Sequence, residues 1–217
     1  GPSGGGKSTA GQLLARFWDV ESGSISVGGR DIREYSVQAL MEMVAFVFQD
    51  TYIFAESAYD NIAMHRDVSC KAVEHAAKAA RCHDFILSFP DGYHTKLGDG
   101  GHKLSGGEAQ RIAIARAILK DAPVVVLDEA MAFTDAENEL ALREGMAELL
   151  RGKTVLMIAH RLYSIQDADR IFVLADGKLQ ESGTHSELMQ KSGLYAHLWN
   201  IQNETENWQM KGGAVHA

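Results

Sequence analysis

The chain opens with Gly1-Pro2-Ser3-Gly4-Gly5-Gly6-Lys7-Ser8-Thr9, a match to the pattern G-x-x-x-x-G-K-[ST]. Thr9 to Trp18 then reads as an amphipathic helix, the context the pattern requires. Glycines let the backbone turn its N–H groups inward around phosphate oxygens, a following helix points its positive end at them, and Lys7 adds a mobile cation. The Ser8 hydroxyl is the expected Mg²⁺ ligand, and the loop from Gly1 to Thr9 is the first candidate binding site. From average residue usage, a chance match in a chain of this length has a probability on the order of one per cent, so a merely flexible glycine loop is the weaker reading.

Two more stretches supply chemistry that such a loop needs. Val124-Val125-Val126-Leu127-Asp128-Glu129 places two carboxylates at the end of a buried apolar strand. Asp128 is expected to hold Mg²⁺, and Glu129 to polarise the water that attacks the γ-phosphate. A solvated strand end is the bland alternative, and it loses ground beside the phosphate loop. Leu104-Ser105-Gly106-Gly107-Glu108 precedes a helix running through Arg111, Ile114, Arg116 and Leu119. Ser105 is a good N-cap, and Gly106 and Gly107 expose N–H groups at the positive end of that helix, a second anion-binding geometry.

Around these motifs the pattern is α/β. Val44 to Phe48, Val124 to Leu127, Val155 to Ile158 and Ile171 to Leu174 are short runs rich in Val, Ile and Phe, as expected of strands buried on both faces and joined by helices in parallel. Between about Asn61 and Lys120 the strands vanish, and Lys71 to Arg81 and Glu108 to Leu119 have helical composition and spacing. Asp176-Gly177 reads as a hairpin turn, with helices over Ser186 to Gln190 and Leu194 to Ile201. The expected fold is a P-loop NTPase core with a mainly parallel sheet, residues 1–60 and 121–217, and an inserted α-helical subdomain, residues 61–120. A phosphate loop normally follows a buried strand, and none precedes Gly1, so the reading expects an N-terminally truncated core whose missing strand lies upstream.

The 217 residues are 46% hydrophobic with a formal charge of −8, which allows a substantial core and excludes a global positive field for nucleic acid or an anionic membrane surface. Any nucleotide must therefore be held locally. Cys70 and Cys82 fall in a helical stretch and read as buried small residues in a reducing, cytosolic setting. No apolar run approaches the roughly 20 residues of a membrane-spanning helix, so another segment would supply any membrane domain. Among the nine histidines, His83, His94, His102 and the others apart from His160 show no metal spacing and read as surface residues. Trp199 and Trp208 read as helix packing.

The run from Leu104 through Gln110-Arg111-Ile112-Ala113-Ile114-Ala115-Arg116-Ala117 to Leu127-Asp128-Glu129 closely resembles the signature-to-Walker-B region of ABC ATPases, and the resemblance covers nearly the whole chain. It implies that ATP and Mg²⁺ are bound. It also implies that Gln49, in Phe46-Val47-Phe48-Gln49-Asp50, senses Mg²⁺ and water and touches a membrane partner. His160, in Ile158-Ala159-His160-Arg161-Leu162, matches the switch histidine that contacts the γ-phosphate and orients the catalytic glutamate. In such proteins the phosphate loop of one subunit and the signature of another enclose the same nucleotide. Ser105, Gly106, Gly107 and Asp135 would thus act on the ATP of a second ABC ATPase domain, identical or different.

Thr95-Lys96-Leu97-Gly98-Asp99-Gly100-Gly101 resembles the T-x-V-G-x-x-G loop with which exporter-type ABC transporters meet their coupling helices, with Asp99 in place of the usual glutamate. Gly177 to Leu188 is similar to the exporter-type ending. Together they imply a transmembrane domain fused upstream and a place at the cytoplasmic face of a membrane. After Glu129 the family commonly reads A-T-S-A-L-D, whereas this chain has Ala130-Met131-Ala132-Phe133-Thr134-Asp135. Asp135 is kept, and the serine hydroxyl is lost at Ala132, which bears on communication between sites and on hydrolysis rate. The A-F-x-D loop, with Leu198-Trp199 and Trp208, is similar to bacterial siderophore transporters of exporter architecture. Two alternatives stay open: a soluble ABC ATPase outside transport, and a catalytically weak regulatory cassette.

Overall fold

The computed structural model describes residues 1–2, 4–48, 50–128, 136–159 and 161–212. In chain order the elements are α1 (Lys7–Leu14), β1 (Ser26–Val27), β2 (Arg30–Asp31), α2 (Val37–Met43), β3 (Val44–Val47), α3 (Ala58–Ala63), α4 (Cys70–Ala79), α5 (His83–Leu87), α6 (Gly106–Lys120), β4 (Val124–Asp128), α7 (Ala136–Leu150), β5 (Thr154–Ile158), β6 (Ile171–Ala175), β7 (Lys178–Gly183), α8 (His185–Lys191) and α9 (Leu194–Gly212). They divide into two compact units, Gly1–Trp18 with Met157–Ala217, and Asp19–Leu156.

In the Asp19–Leu156 unit, β3 and β4 pair in parallel, Val44 opposite Val124 through Val47 opposite Leu127, and the sheet order is β3-β4-β5. Both paired strands are built from Val, Ala, Phe and Leu, and Val44, Val125 and Leu127 are inaccessible to within 1%. Ser36, Ser57, Ser69 and Ser105 each accept an amide hydrogen from the third residue beyond, starting α2, α3, α4 and α6. The apolar faces of these helices meet in a core of Leu40, Ile62, Val73, Ile86, Ile112, Ile114, Leu142 and Leu149. Burying each such side chain stabilises the fold by roughly 1.5–3 kcal/mol. Between α3 and α6 the described residues form no paired strand, only the isolated bridges Ser57–Lys96 and Leu97–His102.

In the other unit, β6 and β7 form an antiparallel hairpin across Asp176 and Gly177, both with positive φ, 51° and 69°. Its inner face packs with α8 and α9 around Leu162, Ile171, Val173, Leu188 and Tyr195.

Several expectations are corrected here. Helix α1 covers Lys7–Leu14 rather than Thr9 to Trp18, because Arg16 takes a left-handed φ of 55° that ends it. Phe17 and Trp18 lie beyond, 51% and 60% exposed and stacked edge to face at 6.4 Å. Neither β5 nor β6 is buried on both faces. Among the described residues β5 is the terminal strand of its sheet, with Thr154 and Val155 exposed, and β6 pairs only with β7 and exposes Phe172. Helix α9 runs eleven residues past the expected Ile201. The β1–β2 hairpin, turning through Gly28 and Gly29, had no counterpart among the expected strands; two residues per strand leave no alternation to detect.

Cys82 is buried but Cys70 is exposed at the first turn of α4. Burial pushes the Cys82 thiol up to about 12, which keeps it protonated and unreactive at neutral pH. A disulfide reagent is therefore expected to titrate Cys70 rapidly in the native protein and Cys82 only on unfolding. Rapid reaction at both would contradict this packing. His83 and His185 are half-buried rather than surface residues, since their rings meet the Tyr93 and Tyr195 hydroxyls at 2.9 and 2.8 Å. Trp199 packs on His185 and Tyr195, as a helix-packing role requires, while the side chain of Trp208 lies outside the described residues.

Candidate active site

Lys7 lies six positions after Gly1, yet its ammonium donates hydrogen bonds to both Gly1 O, at 2.8 Å, and Pro2 O, at 2.7 Å. The chain closes into a ring around the cation. Gly5 N–H donates to Pro2 O at 3.2 Å, tightening the same turn. Gly6 caps α1 in a left-handed conformation, φ 93°, and makes no side-chain cap, so the first amides of the helix keep no side-chain acceptor from that position. A glycine-rich turn, a helix N-terminus and a lysine are thus brought together. Ser8 is half-buried one residue beyond Lys7, and Thr9 is exposed. Ser3 lies outside the described residues.

The turn is also sterically confined. A Cβ on Gly5 would stand 2.7 Å from Leu174 O on β6, closer than real Cβ atoms come to backbone. Gly5→Ala is therefore expected to displace the loop or β6, costing about 1–3 kcal/mol and weakening nucleotide binding, as thermal unfolding and an ATP titration would read. Unchanged values in both would contradict the packing.

In the other unit, the parallel register that sets Val47 opposite Leu127 sends the chain out of β3 and β4 at the same end of the sheet, at Phe48 and Asp128. Gln49 and Glu129 are the next residues in sequence, and both lie outside the described residues, as do Ala130 to Asp135 and His160. Asp128 is half-buried at the strand end.

The signature helix starts as the sequence requires. Ser105 Oγ accepts from Glu108 N at 3.3 Å, and Glu108 Oε2 accepts from Ser105 N at 2.8 Å, a complete capping box. Those bonds leave Gly106 and Gly107 as the first helical amides, with no intrahelical acceptor. A Cβ on Gly106 would meet nothing within 4 Å among the described residues.

One functional residue was quoted within the motif and given no role. Gln110 is 5% exposed; its Nε2 donates to Phe48 O at 3.4 Å and its Oε1 accepts from Thr51 Oγ1 at 2.7 Å. The signature helix thereby grips both flanks of position 49. A glutamine on the buried face of a helix must find partners, and that was the available signal. A second tie is Arg116, which donates to Asn61 O, to Asn61 Oδ1 at 2.7 Å and to Tyr52 O at 2.7 Å; burial lowers its pKa to about 10. Asn61 is itself fully buried and exchanges hydrogen bonds with Phe54, Glu56 and Ser57. The loop after Gln49 is thus fastened to α3 and α6.

The T-x-V-G-x-x-G-like loop is brought to that segment. Ala58 N–H donates to Thr95 O at 3.0 Å and Leu97 N–H to Glu56 O at 2.8 Å, with Leu97 fully buried. Beside them lies a groove of about 380 Å³ whose walls include Phe46, Phe48, Tyr52, Phe54 and Met64, with Arg66, Arg116 and Lys120 among its cations. Tyr52 is 70% exposed.

A family model described as ABC transporter matches residues 1–132, well over half of the chain. The chain belongs to the ABC transporter family. Relatives agree along the rest of its length. This ABC ATPase domain is 49% identical over 200 residues to the mycobactin import ATP-binding/permease protein IrtA of Mycolicibacterium smegmatis, covering 92% of the chain and 23% of that protein. It is 47% identical over 202 residues to the ATP-dependent lipid A-core flippase of Burkholderia pseudomallei, covering 93% of the chain and 34% of the flippase. Its fold matches a bacterial Atm1-family ABC exporter solved with ATP bound, at a TM-score of 0.85 and 42% identity, over 93% of this chain and 35% of that one. The domain therefore spans about a quarter to a third of the length of these relatives. It is an ATPase domain of the exporter-type ABC family, and its fold is the mixed α/β ABC ATPase fold with a parallel strand pair. No helix among the described residues is long and apolar enough to cross a membrane.

Proposed function

We propose that this domain binds and hydrolyses Mg-ATP at a site shared with a second ABC ATPase domain, and that closing and reopening of the pair drives transport by a transmembrane domain carried upstream in the same polypeptide. What supports the reading is a pair of helix starts suited to anions: one unit has the glycine-capped start of α1 with Lys7 beside it, and the other the capped, glycine-fronted start of α6. Two anion sites on one chain, each able to neutralise only part of a triphosphate, suit a nucleotide sandwiched between two copies.

The residues fit the ligands assigned to them. Gly1 to Thr9 wrap the phosphates, with Lys7 exchanging the carbonyls of Gly1 and Pro2 for phosphate oxygens. Ser8, Gln49 and Asp128 hold Mg²⁺, three oxygen donors suited to a hard cation. When bound, Mg²⁺ supplies charge neutralisation at the β- and γ-phosphates. Glu129 accepts a proton from the attacking water, and His160 holds the γ-phosphate and the glutamate in register. Ser105, Gly106 and Gly107 donate to the γ-phosphate bound by the partner, and Asp135 lies in the loop that crosses to it. Loss of that γ-phosphate leaves two positive helix ends facing each other, and the pair reopens.

The membrane partner docks at the groove beside Tyr52 and Phe54, because Gln110 and Arg116 tie that wall to the signature helix and to the segment around Gln49. A partner there would hold the domain at the cytoplasmic face of a membrane, and similarity to ATP-binding/permease proteins supports membrane association. For cargo, a ferric siderophore is the narrower proposal, supported by the Ala132-Phe133-Thr134-Asp135 loop and by similarity to mycobactin importers. Uptake of an iron chelate by the full-length protein tests it, and unchanged iron uptake in a deletion strain would remove it.

Trans-complementation tests the shared site. Lys7→Ala and Ser105→Arg chains are each expected to be inactive alone, while a reassembled equal mixture recovers hydrolysis, up to about a quarter of the wild-type rate if pairing is random and the sites act independently. A mixture as inactive as its components would count against composite sites.

A further inference from the structure

With 29 acidic side chains against 21 lysines and arginines, the chain has a carboxylate to spare for most of its cations. Arg66, Arg81, Arg143, Arg151 and Lys153 each have one. Arg170 and Lys191 pair with none among the described residues. Both turn instead to a single neutral residue. Arg170 Nη2 donates to Ser182 Oγ at 3.5 Å, and Lys191 Nζ donates to Ser182 O at 3.3 Å.

The local fold explains the meeting. Ser182 on β7 pairs with Phe172 on β6. Arg170, two residues before Phe172, falls on the same face of the ribbon, with its guanidinium 5.9 Å from the centre of the Phe172 ring. Lys191 reaches Ser182 from the last turn of α8. Arg170, Ser182, Glu187, Gln190 and Lys191 line an open hollow of about 470 Å³, all within one compact unit. Glu187 is the acid of this set, and its Oε2 accepts from Thr184 N at 2.9 Å in the capping box that starts α8.

Two like charges brought to one residue repel, and bonds of 3.3 and 3.5 Å to neutral oxygens compensate weakly. A guanidinium carries five N–H donors in a planar fork and an ammonium three, so one bond each to Ser182 uses few of them. The Ser182 hydroxyl and the Gln190 amide add neutral donors. That set suits a tetrahedral oxyanion, whose oxygens outnumber those of a carboxylate, and the arginine fork matches phosphate geometry.

We propose that this hollow binds a phosphoryl group, as phosphate itself or as a small phosphate monoester, between Arg170 and Lys191. The bound anion joins the β6–β7 hairpin to the end of α8 and removes the repulsion between the two cations. Neither ATP hydrolysis nor the role of the glycine loop enters this assignment.

Calorimetric titration of the full-length protein tests it, at constant ionic strength in chloride, with two probes: inorganic phosphate and glycerol 3-phosphate. The wild type is expected to bind one anion per chain saturably at this site, with a Kd of about 1 mM or below. Arg170→Gln and Lys191→Gln each raise that Kd about tenfold, the effect of losing one charged hydrogen-bonding partner. Lys7→Ala leaves it unchanged, which separates this site from phosphate held at the glycine loop. Phosphate also raises the melting temperature of the wild type and not that of the two glutamine variants. Tighter binding of glycerol 3-phosphate identifies a monoester as the ligand, and tighter binding of phosphate identifies the free ion. No saturable binding of either probe, binding that survives both glutamine substitutions, or binding lost only in Lys7→Ala would overturn the proposal. Should one glutamine variant fold poorly, the other decides, because each cation alone accounts for about a tenfold change.

Discussion

Glu129→Gln is expected to leave ATP binding intact while lowering hydrolysis by about a hundredfold or more, the usual cost of removing a general base. Glutamine keeps the size of the side chain and loses the ability to take a proton from water. Asp128, the residue before it, still ends β4 in its parallel pairing with β3. Because the γ-phosphate then persists, the variant should accumulate as a closed pair of domains in Mg-ATP, visible as a slowly dissociating nucleotide complex. Phosphate release at the wild-type rate would remove Glu129 from its role. Ala132, which lacks the hydroxyl common at that position, bears on how fast the wild-type enzyme turns over and not on this comparison.

Lys7→Ala has the opposite signature. The ammonium is the centre of the loop, donating to two backbone carbonyls, and its loss removes both the cation for the phosphates and the closure of the ring. Charged hydrogen bonds contribute about 1.5–3 kcal/mol each, so the Kd for ATP should rise by about tenfold to a hundredfold. Hydrolysis is lost as a consequence. A Kd equal to that of the wild type would show that the loop does not carry the binding energy assigned to it.

The local devices of the fold were legible, and its long-range contacts were not. Helix caps and tight turns are local devices, fixed by residues within four or five positions of one another, so the N-cap at Ser105 and the Asp176-Gly177 turn could be read directly. The contacts of Gln110 could not be foreseen, because Thr51 and Phe48 lie 59 and 62 residues away and nothing in sequence marks the meeting. Burial of β5 and β6 was overestimated for a related reason. An apolar run reports a strand's composition, whereas its exposure depends on which strands pair beside it. The end of α1 turned on one backbone angle at Arg16, a residue type that rarely adopts a positive φ.

Dimer closure and transport, as proposed, both depend on adenine nucleotide held by the glycine loop. Calorimetric titration of Mg-ATP into the full-length protein tests this most directly. The account predicts saturable binding, one nucleotide for each ATPase domain, weakened in parallel by Lys7→Ala. A folded protein that takes up no ATP, or binds it equally well without Lys7, would contradict it.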